Sequence, residues 1–226
     1  MGRSGDEGSP GEDGDGGPCS TAVDLDPAEA LHIRHRAKDH IRKRMRALRR
    51  AVPEKARAAR SAAIVAHVQA LDAWARHDAV AGYVAMRSEA DPAGLIDAAR
   101  AAGRTVALPR VDFEAETIEL HAATGELEES GMGFLQPPAG SPRVPELDVG
   151  IVLVPALAVD ERGHRIGWGK GFYDRLLPLV PDAVRIALVF DFQLVAEVPD
   201  TPGDERVDYV VTDSRVIATA RVRSGG

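Results

Sequence analysis

Cysteine is almost missing from this chain. Cys19 is the single one in 226 residues, so no internal disulfide can form and no cysteine cluster can hold zinc. No apolar run approaches the roughly 18 residues a membrane-spanning helix needs, so no membrane partner is expected. The opening stretch Met1-Gly2-Arg3-Ser4-Gly5-Asp6-Glu7 has no apolar core, and a secretory signal is not expected. Aromatic residues make up only 4%, and Phe, Tyr and Trp are absent from 31–60, the most basic part of the chain. That stretch therefore lacks the stacking platforms of single-strand nucleic-acid binders. What is abundant is aliphatic: hydrophobic residues reach 44%, enough for a globular core. A cytoplasmic globular protein is expected.

Charge divides the chain unevenly. Residues 1–30 hold Arg3 and eight acids; residues 31–60 hold twelve Lys/Arg and two acids. The remainder is acidic, and the chain nets -7. The first block is Gly, Ser, Asp, Glu and Pro with few apolar residues, a composition that cannot offset its ordering entropy. A disordered acidic tail is therefore expected over 1–27, an α/β domain over 28–217, and a short flexible C-terminus over 218–226.

Asp26-Pro27 can start a helix that runs to about residue 51. Ile33, Ala37, Ile41, Met45, Leu48 and Val52 form its apolar stripe, and Arg34, Lys38, Arg42 and Arg46 a basic stripe beside it. Two readings of the basic stripe stand open, a solvated face and a nucleic-acid-binding face. A second helix is predicted from Pro53-Glu54 to about Trp74, with Ile64, Val68, Leu71 and Trp74 buried. Strands are then predicted at 80–85, 105–108, 117–120, 149–154, 184–190 and 209–211, with helices at 91–102 and 171–179 between them. This alternation predicts a layered αβα domain with a mostly parallel central sheet, preceded by the acidic tail and the basic N-terminal helix.

The segment from Pro155 to Arg175 carries the chemistry. Gly167, Gly169 and Gly171 alternate between a buried strand and a helix, so backbone can approach a ligand closely there. Arg165 and Lys170 add positive charge, and Asp174 is a hard oxygen ligand suited to Mg²⁺. The spacing is neither a Walker A loop nor a dinucleotide fingerprint, and a bare G-x-G-x-G also makes ordinary turns. His164 reads as an exposed turn residue.

Arg165-Ile166-Gly167-Trp168-Gly169-Lys170-Gly171-Phe172-Tyr173-Asp174 resembles the signature of the 5-formyltetrahydrofolate cyclo-ligases, in which R-L-G-x-G-x-G-[YF]-Y-D follows a strand, a Pro and an Asp-x-x-Gly turn. Lys38 and Arg42 resemble that family's N-terminal K-x-x-x-R pair, and Glu89 a substrate-binding Glu. Leu108-Pro109-Arg110, Gly133-Phe134-Leu135-Gln136-Pro137 and Asp204 are similar to later marks in the same order. Two positions depart from the pattern. Trp168 stands where many members carry a basic or tyrosyl residue, and Phe172 where Tyr is common.

The resemblance implies ATP- and Mg²⁺-dependent cyclisation of 5-formyltetrahydrofolate to 5,10-methenyltetrahydrofolate, with ADP and phosphate released. It implies catalytic roles for Lys170 and Arg165. ATP would be bound by Lys38, Arg42 and the run Arg165, Ile166, Gly167, Trp168, Gly169, Lys170, Gly171, Phe172 and Tyr173. The folate, polyglutamylated or not, would meet Val84, Glu89, Trp168 and Tyr173, and Mg²⁺ would meet Asp174 and Asp204. A monomer without nucleic-acid partner is expected.

Overall fold

The aliphatic run at 151–154 is buried on both faces, as a central strand of a parallel sheet requires. A computed structural model describes residues 26–131 and 133–222; nearly all of the expected acidic tail lies outside them. In chain order the elements are α1 (Pro27–Ala51), α2 (Glu54–Gln69), α3 (Asp72–Arg76), β1 (Ala79–Ala81), α4 (Ala93–Ala101), β2 (Thr105–Asp112) and β3 (Thr117–Ala122). There follow β4 (Glu128–Glu129), β5 (Leu135–Gln136), β6 (Ile151–Pro155), β7 (Ala158–Val159), β8 (Arg165–Ile166), α5 (Phe172–Leu176), β9 (Val184–Leu188), β10 (Tyr209–Val211) and β11 (Val216–Ala218).

Seven strands form one sheet in the order β11-β10-β9-β6-β1-β2-β3. Strands β10, β9, β6, β1 and β2 run parallel, and the two edges, β11 and β3, are antiparallel to their neighbours. Alternate side chains of β6 feed two cores. Ile151 and Leu153 pack with Ile64, Val68, Trp74 and Leu95 of the helices on one face. Val152 and Val154 pack with Leu176, Leu177 and Val180 on the other. This is the expected αβα layering.

Local chemistry explains where elements differ from the expected spans. The apolar rhythm Ile64-Val68-Leu71-Trp74 continues, but Leu71 is extended and splits the second helix into α2 and α3. Strand β2 runs on through Pro109 because β1 pairs only as far as Ala107, so the missing N–H lies where β3 alone is bonded. The predicted helix at 171–179 is one α-turn, α5, followed by a 3-10 turn. The terminal strand β11 was not expected.

The order has a functional consequence. From β1 the chain proceeds through α4 to β2 and β3, then crosses back to β6 and continues outward through β9 and β10. The loops leaving the C-terminal ends of β1 and β6 therefore diverge and leave a crevice, the place where open α/β sheets bind ligands.

Candidate active site

Helix α1 lies over this crevice with its basic stripe inward. Its buried residues are Lys38, Met45 and Arg49, whereas Ile33 and Leu48 of the expected apolar stripe are exposed. Cations can be buried there because each meets a partner. The Lys38 ammonium donates to Asp204 Oδ2 at 2.5 Å and to Thr201 Oγ1 at 2.6 Å. Arg42 Nε donates to the Gly167 carbonyl at 3.0 Å, and the exposed Arg34 pairs with Asp200 at 2.8 Å. The inward cations are thus engaged within the protein rather than laid out for a nucleic-acid backbone.

The glycine loop is set up by a β7–β8 hairpin. Its turn is organised by Asp160, a fully buried carboxylate that accepts from the backbone N–H groups of Arg162, His164 and Val198 at 3.0–3.1 Å. Gly163 has φ +85, and a Cβ there would meet the Val207 carbonyl at 2.5 Å. His164 is buried by this turn, not exposed as the sequence suggested. In β8, the Arg165 guanidinium is buried and donates to Asp174 Oδ1 at 2.8 Å. The Ile166 side chain is core, so only its backbone can face a ligand. Gly169 adopts φ +94 with the Arg42 guanidinium 3.4 Å from where a Cβ would lie. Lys170 is exposed, and its ammonium has no ion-pair partner among the described residues. Phe172 packs edge-on to Phe113. Because α5 has only five residues, the loop offers amides and cations rather than a long helix dipole.

Across the crevice, the chain after β1 turns sharply at Arg87, a non-glycine residue at φ 51. The turn returns Glu89 into the protein. Glu89 Oε2 accepts the Met86 amide at 2.9 Å, and Oε1 accepts the Trp168 indole N–H at 2.7 Å. The buried Arg49 guanidinium stands 3.6 Å from the same Oε1. Burial raises the Glu89 pKa, while the Met86 amide, Arg49 and the indole oppose the rise. Tyr83 is buried nearby and donates to the Ala90 carbonyl at 2.7 Å; Val84 is half-buried beside it. The Tyr173 ring is half-buried, but its hydroxyl is fully buried without a hydrogen-bond partner, and burial pushes its pKa well up.

Asp174 and Asp204 stand on either side of one local junction. Asp174 Oδ1 also accepts the Glu205 amide at 3.3 Å, while Asp204 Oδ2 takes Lys38 and Thr201. No group of three or more His, Cys, Asp or Glu able to hold a metal occurs among the described residues. Each aspartate uses one oxygen in these contacts, Oδ1 of Asp174 and Oδ2 of Asp204. That donor set fits a Mg²⁺ that keeps waters and takes its remaining ligands from phosphate oxygens, and does not fit an ion caged by protein alone. A separate cavity of about 620 Å³, lined by Arg76, His77, Asp78, Arg143 and Asp148 among others, lies at the opposite end of β1, β2 and β6 and contains none of these residues.

The sequence profile of the 5-formyltetrahydrofolate cyclo-ligase family matches residues 34–213. The chain belongs to that family. A 5-formyltetrahydrofolate cyclo-ligase of Mycolicibacterium smegmatis is 34% identical over 195 residues, spanning 82% of this chain and 98% of the relative. One from Mus musculus is 24% identical over 188 residues, 77% of this chain and 93% of its own. Among solved structures, 5,10-methenyltetrahydrofolate synthetase of Aquifex aeolicus superposes with a TM-score of 0.72 at 28% identity, covering 84% of this chain and 96% of that one. The Mycoplasma pneumoniae synthetase shares the fold, with a TM-score of 0.64 at 18% identity.

The matched span of this cyclo-ligase family member takes in both sides of the crevice. Lys38, Arg42, Glu89, Arg165, Trp168, Tyr173, Asp174 and Asp204 come together around it. Arg49 was missed. The signal was present, since Arg42, Met45 and Arg49 continue the Lys38 face at three- and four-residue steps, but the basic stripe was followed only to Arg46.

Proposed function

We propose that this chain closes 5-formyltetrahydrofolate to 5,10-methenyltetrahydrofolate at the expense of ATP. The observation that carries the reading is the meeting of two unlike chemistries at one switch-point crevice. One set is a glycine loop with Arg42, Arg165 and Lys170; the other is the buried Glu89 carboxylate with the Trp168 ring that meets it. A triphosphate needs the first set and a flat, nitrogen-rich ring with N–H donors suits the second.

The reaction explains why both are needed. A formyl oxygen does not leave a tetrahydrofolate unaided. Its attack on the γ-phosphorus of ATP forms a C–O–P linkage and releases ADP. N10 then attacks the formyl carbon, the C–O bond breaks, and inorganic phosphate carries the oxygen away while N10 gives up its proton. Bringing formyl oxygen and γ-phosphate into line is the main demand on the protein. Glu89 would accept N–H groups of the pterin and fix its plane. Lys38 and Arg42 would reach the phosphates from α1, and Lys170 with the amides of Gly167 to Gly171 would take the charge that moves onto them. Asp174 and Asp204 would hold Mg²⁺, whose chemistry is to neutralise the phosphate oxygens. The Tyr173 hydroxyl, protonated and unpartnered, is available to donate to a ligand oxygen.

The test is the near-ultraviolet absorbance of the methenyl product. A rise that needs ATP, Mg²⁺ and formylfolate together supports the reading. A folded protein that binds ATP and gives no rise would overturn it.

A further inference from the structure

The indole of Trp168 occupies the carboxylate that the folate would need. Glu89 is only 6% exposed, and its Oε1 takes the indole N–H across a sequence gap of 79 residues. That bond joins the loop after β8, within the long connection from β6 to β9, to the turn after β1, so it bridges the crevice itself. A buried carboxylate oxygen left bare carries a full desolvation penalty, so something must fill the position when no ligand is there.

The surroundings suit a flat ring rather than tryptophan alone. Arg49 and Arg46 hold their guanidinium groups 5.4 and 5.8 Å from the indole centroid. Both are anchored on α1, and Arg49 is buried, so they form a cationic wall that any aromatic ring can face. Trp168 itself is only half-buried and stands between Gly167 and Gly169, the latter at φ +94. Of the groups around Glu89, Trp168 alone sits between two glycines; Arg49 is fixed in a helix and Met86 contributes backbone.

We propose that Trp168 is a specificity-determining residue of the folate site, a resident competitor that holds Glu89 with a flat ring and an N–H until a heterocycle offering the same pair displaces it. The inference rests on the folate reading given above and adds that entry is an exchange. A ring without an N–H to match the indole gains nothing at Glu89 and leaves Trp168 in place. Arg49 keeps the carboxylate in position during the exchange.

Two measurements test this. Trp168→Phe keeps a ring and removes the N–H, so the free enzyme loses the competitor. The KM for 5-formyltetrahydrofolate should fall about tenfold, the scale of one hydrogen bond to a charged group. A residue that merely packs would leave the folate KM unchanged or raise it, and that result overturns the proposal. The second measurement uses the wild-type chain labelled with 5-fluorotryptophan. Its two tryptophans, Trp74 and Trp168, give two fluorine lines, assigned with Trp74→Phe or Trp168→Phe. Saturating 5-formyltetrahydrofolate should shift the Trp168 line towards a solvent-exposed position and leave Trp74 in place. A Trp168 line that stays put while calorimetry shows folate binding overturns the exchange and leaves the function standing. No folate binding at all overturns the functional reading, and the exchange with it.

Discussion

Replacing Lys38 with methionine separates what this residue does for the fold from what it does for the nucleotide. The Lys38 side chain is 5% exposed and that of Asp204 is 18% exposed, at a separation of 2.5 Å. Removing one member of a buried pair costs about 3–5 kcal/mol, against about 0–1 for an exposed pair. Water can reach Asp204 once the ammonium is gone, so the lower end applies, about 3 kcal/mol. For a domain of this size each kcal/mol lowers Tm by about 2–4 °C, so the variant should melt about 6–12 °C below the parent. In the double variant Lys38→Met/Asp204→Asn no charge is stranded, and the Asn oxygen can still accept from the Thr201 amide and hydroxyl that Asp204 now holds. About half of the lost stability should return. Activity should not return, because the double variant restores neither the phosphate contact nor the metal ligand that the proposed reading assigns to these two residues. Calorimetric melting and ATP-dependent turnover of both variants are the assays. A double variant no more stable than Lys38→Met would refute the pairing argument. An unchanged KM for ATP in Lys38→Met would remove the residue from the phosphate site.

Three further outcomes are expected. Arg49→Met takes away a cation that opposes the effect of burial on Glu89, so the carboxyl protonates at higher pH. The acid limb of kcat/KM for formylfolate should move upward in pH, with Tyr83, Tyr173, the Met86 amide and Trp168 left facing the group; a stationary limb would exclude this role. Asp160→Asn places an NH₂ among the three backbone donors that Asp160 now satisfies, and urea unfolding should show a loss of about 2–3 kcal/mol with both KM values intact. Gly169→Ala forces a side chain into φ +94 against the Arg42 guanidinium at 3.4 Å. Strain of about 1–3 kcal/mol and a displaced Arg42 should raise KM for ATP about tenfold, as steady-state kinetics would show.

The parts of this architecture that local pattern controls were legible. The unbroken aliphatic run before Pro155 reads as a buried strand, and the three alternating glycines beside Lys170 read as a loop leading into a helix. What local pattern does not carry is the identity of a distant partner. The inward face of α1 could not be chosen correctly, because apolarity favoured Ile33 and Leu48, while Lys38 and Arg49 are buried by carboxylates 166 and 40 residues further on. His164 looked like a turn residue because the turn is polar, but the buried Asp160 draws that turn into the protein. The return of Glu89 depends on Arg87 taking a positive φ, for which an arginine offers no signal. The Glu89–Trp168 bond links two loops that only the β1/β6 adjacency brings together.

Helix α1 is fastened to the rest of the protein in large part by buried cations, one of which, Lys38, the proposed reading also offers to a ligand. Two of its three buried residues are cations, and Met45, on Leu157, Ala158, Ile166 and Val198, is the third. The ion pairs of these cations are buried, and the desolvation of their charges offsets much of what they contribute, so the helix is held less firmly than an apolar seam of the same size would hold it. The strap should therefore lift as a separate unit, at a free energy below that of the sheet, and hydrogen exchange would see its amides open first. Opening would cost the enzyme the cations that the proposed reading places at phosphate while leaving the folded sheet intact, so mild heat would silence the protein well before unfolding it.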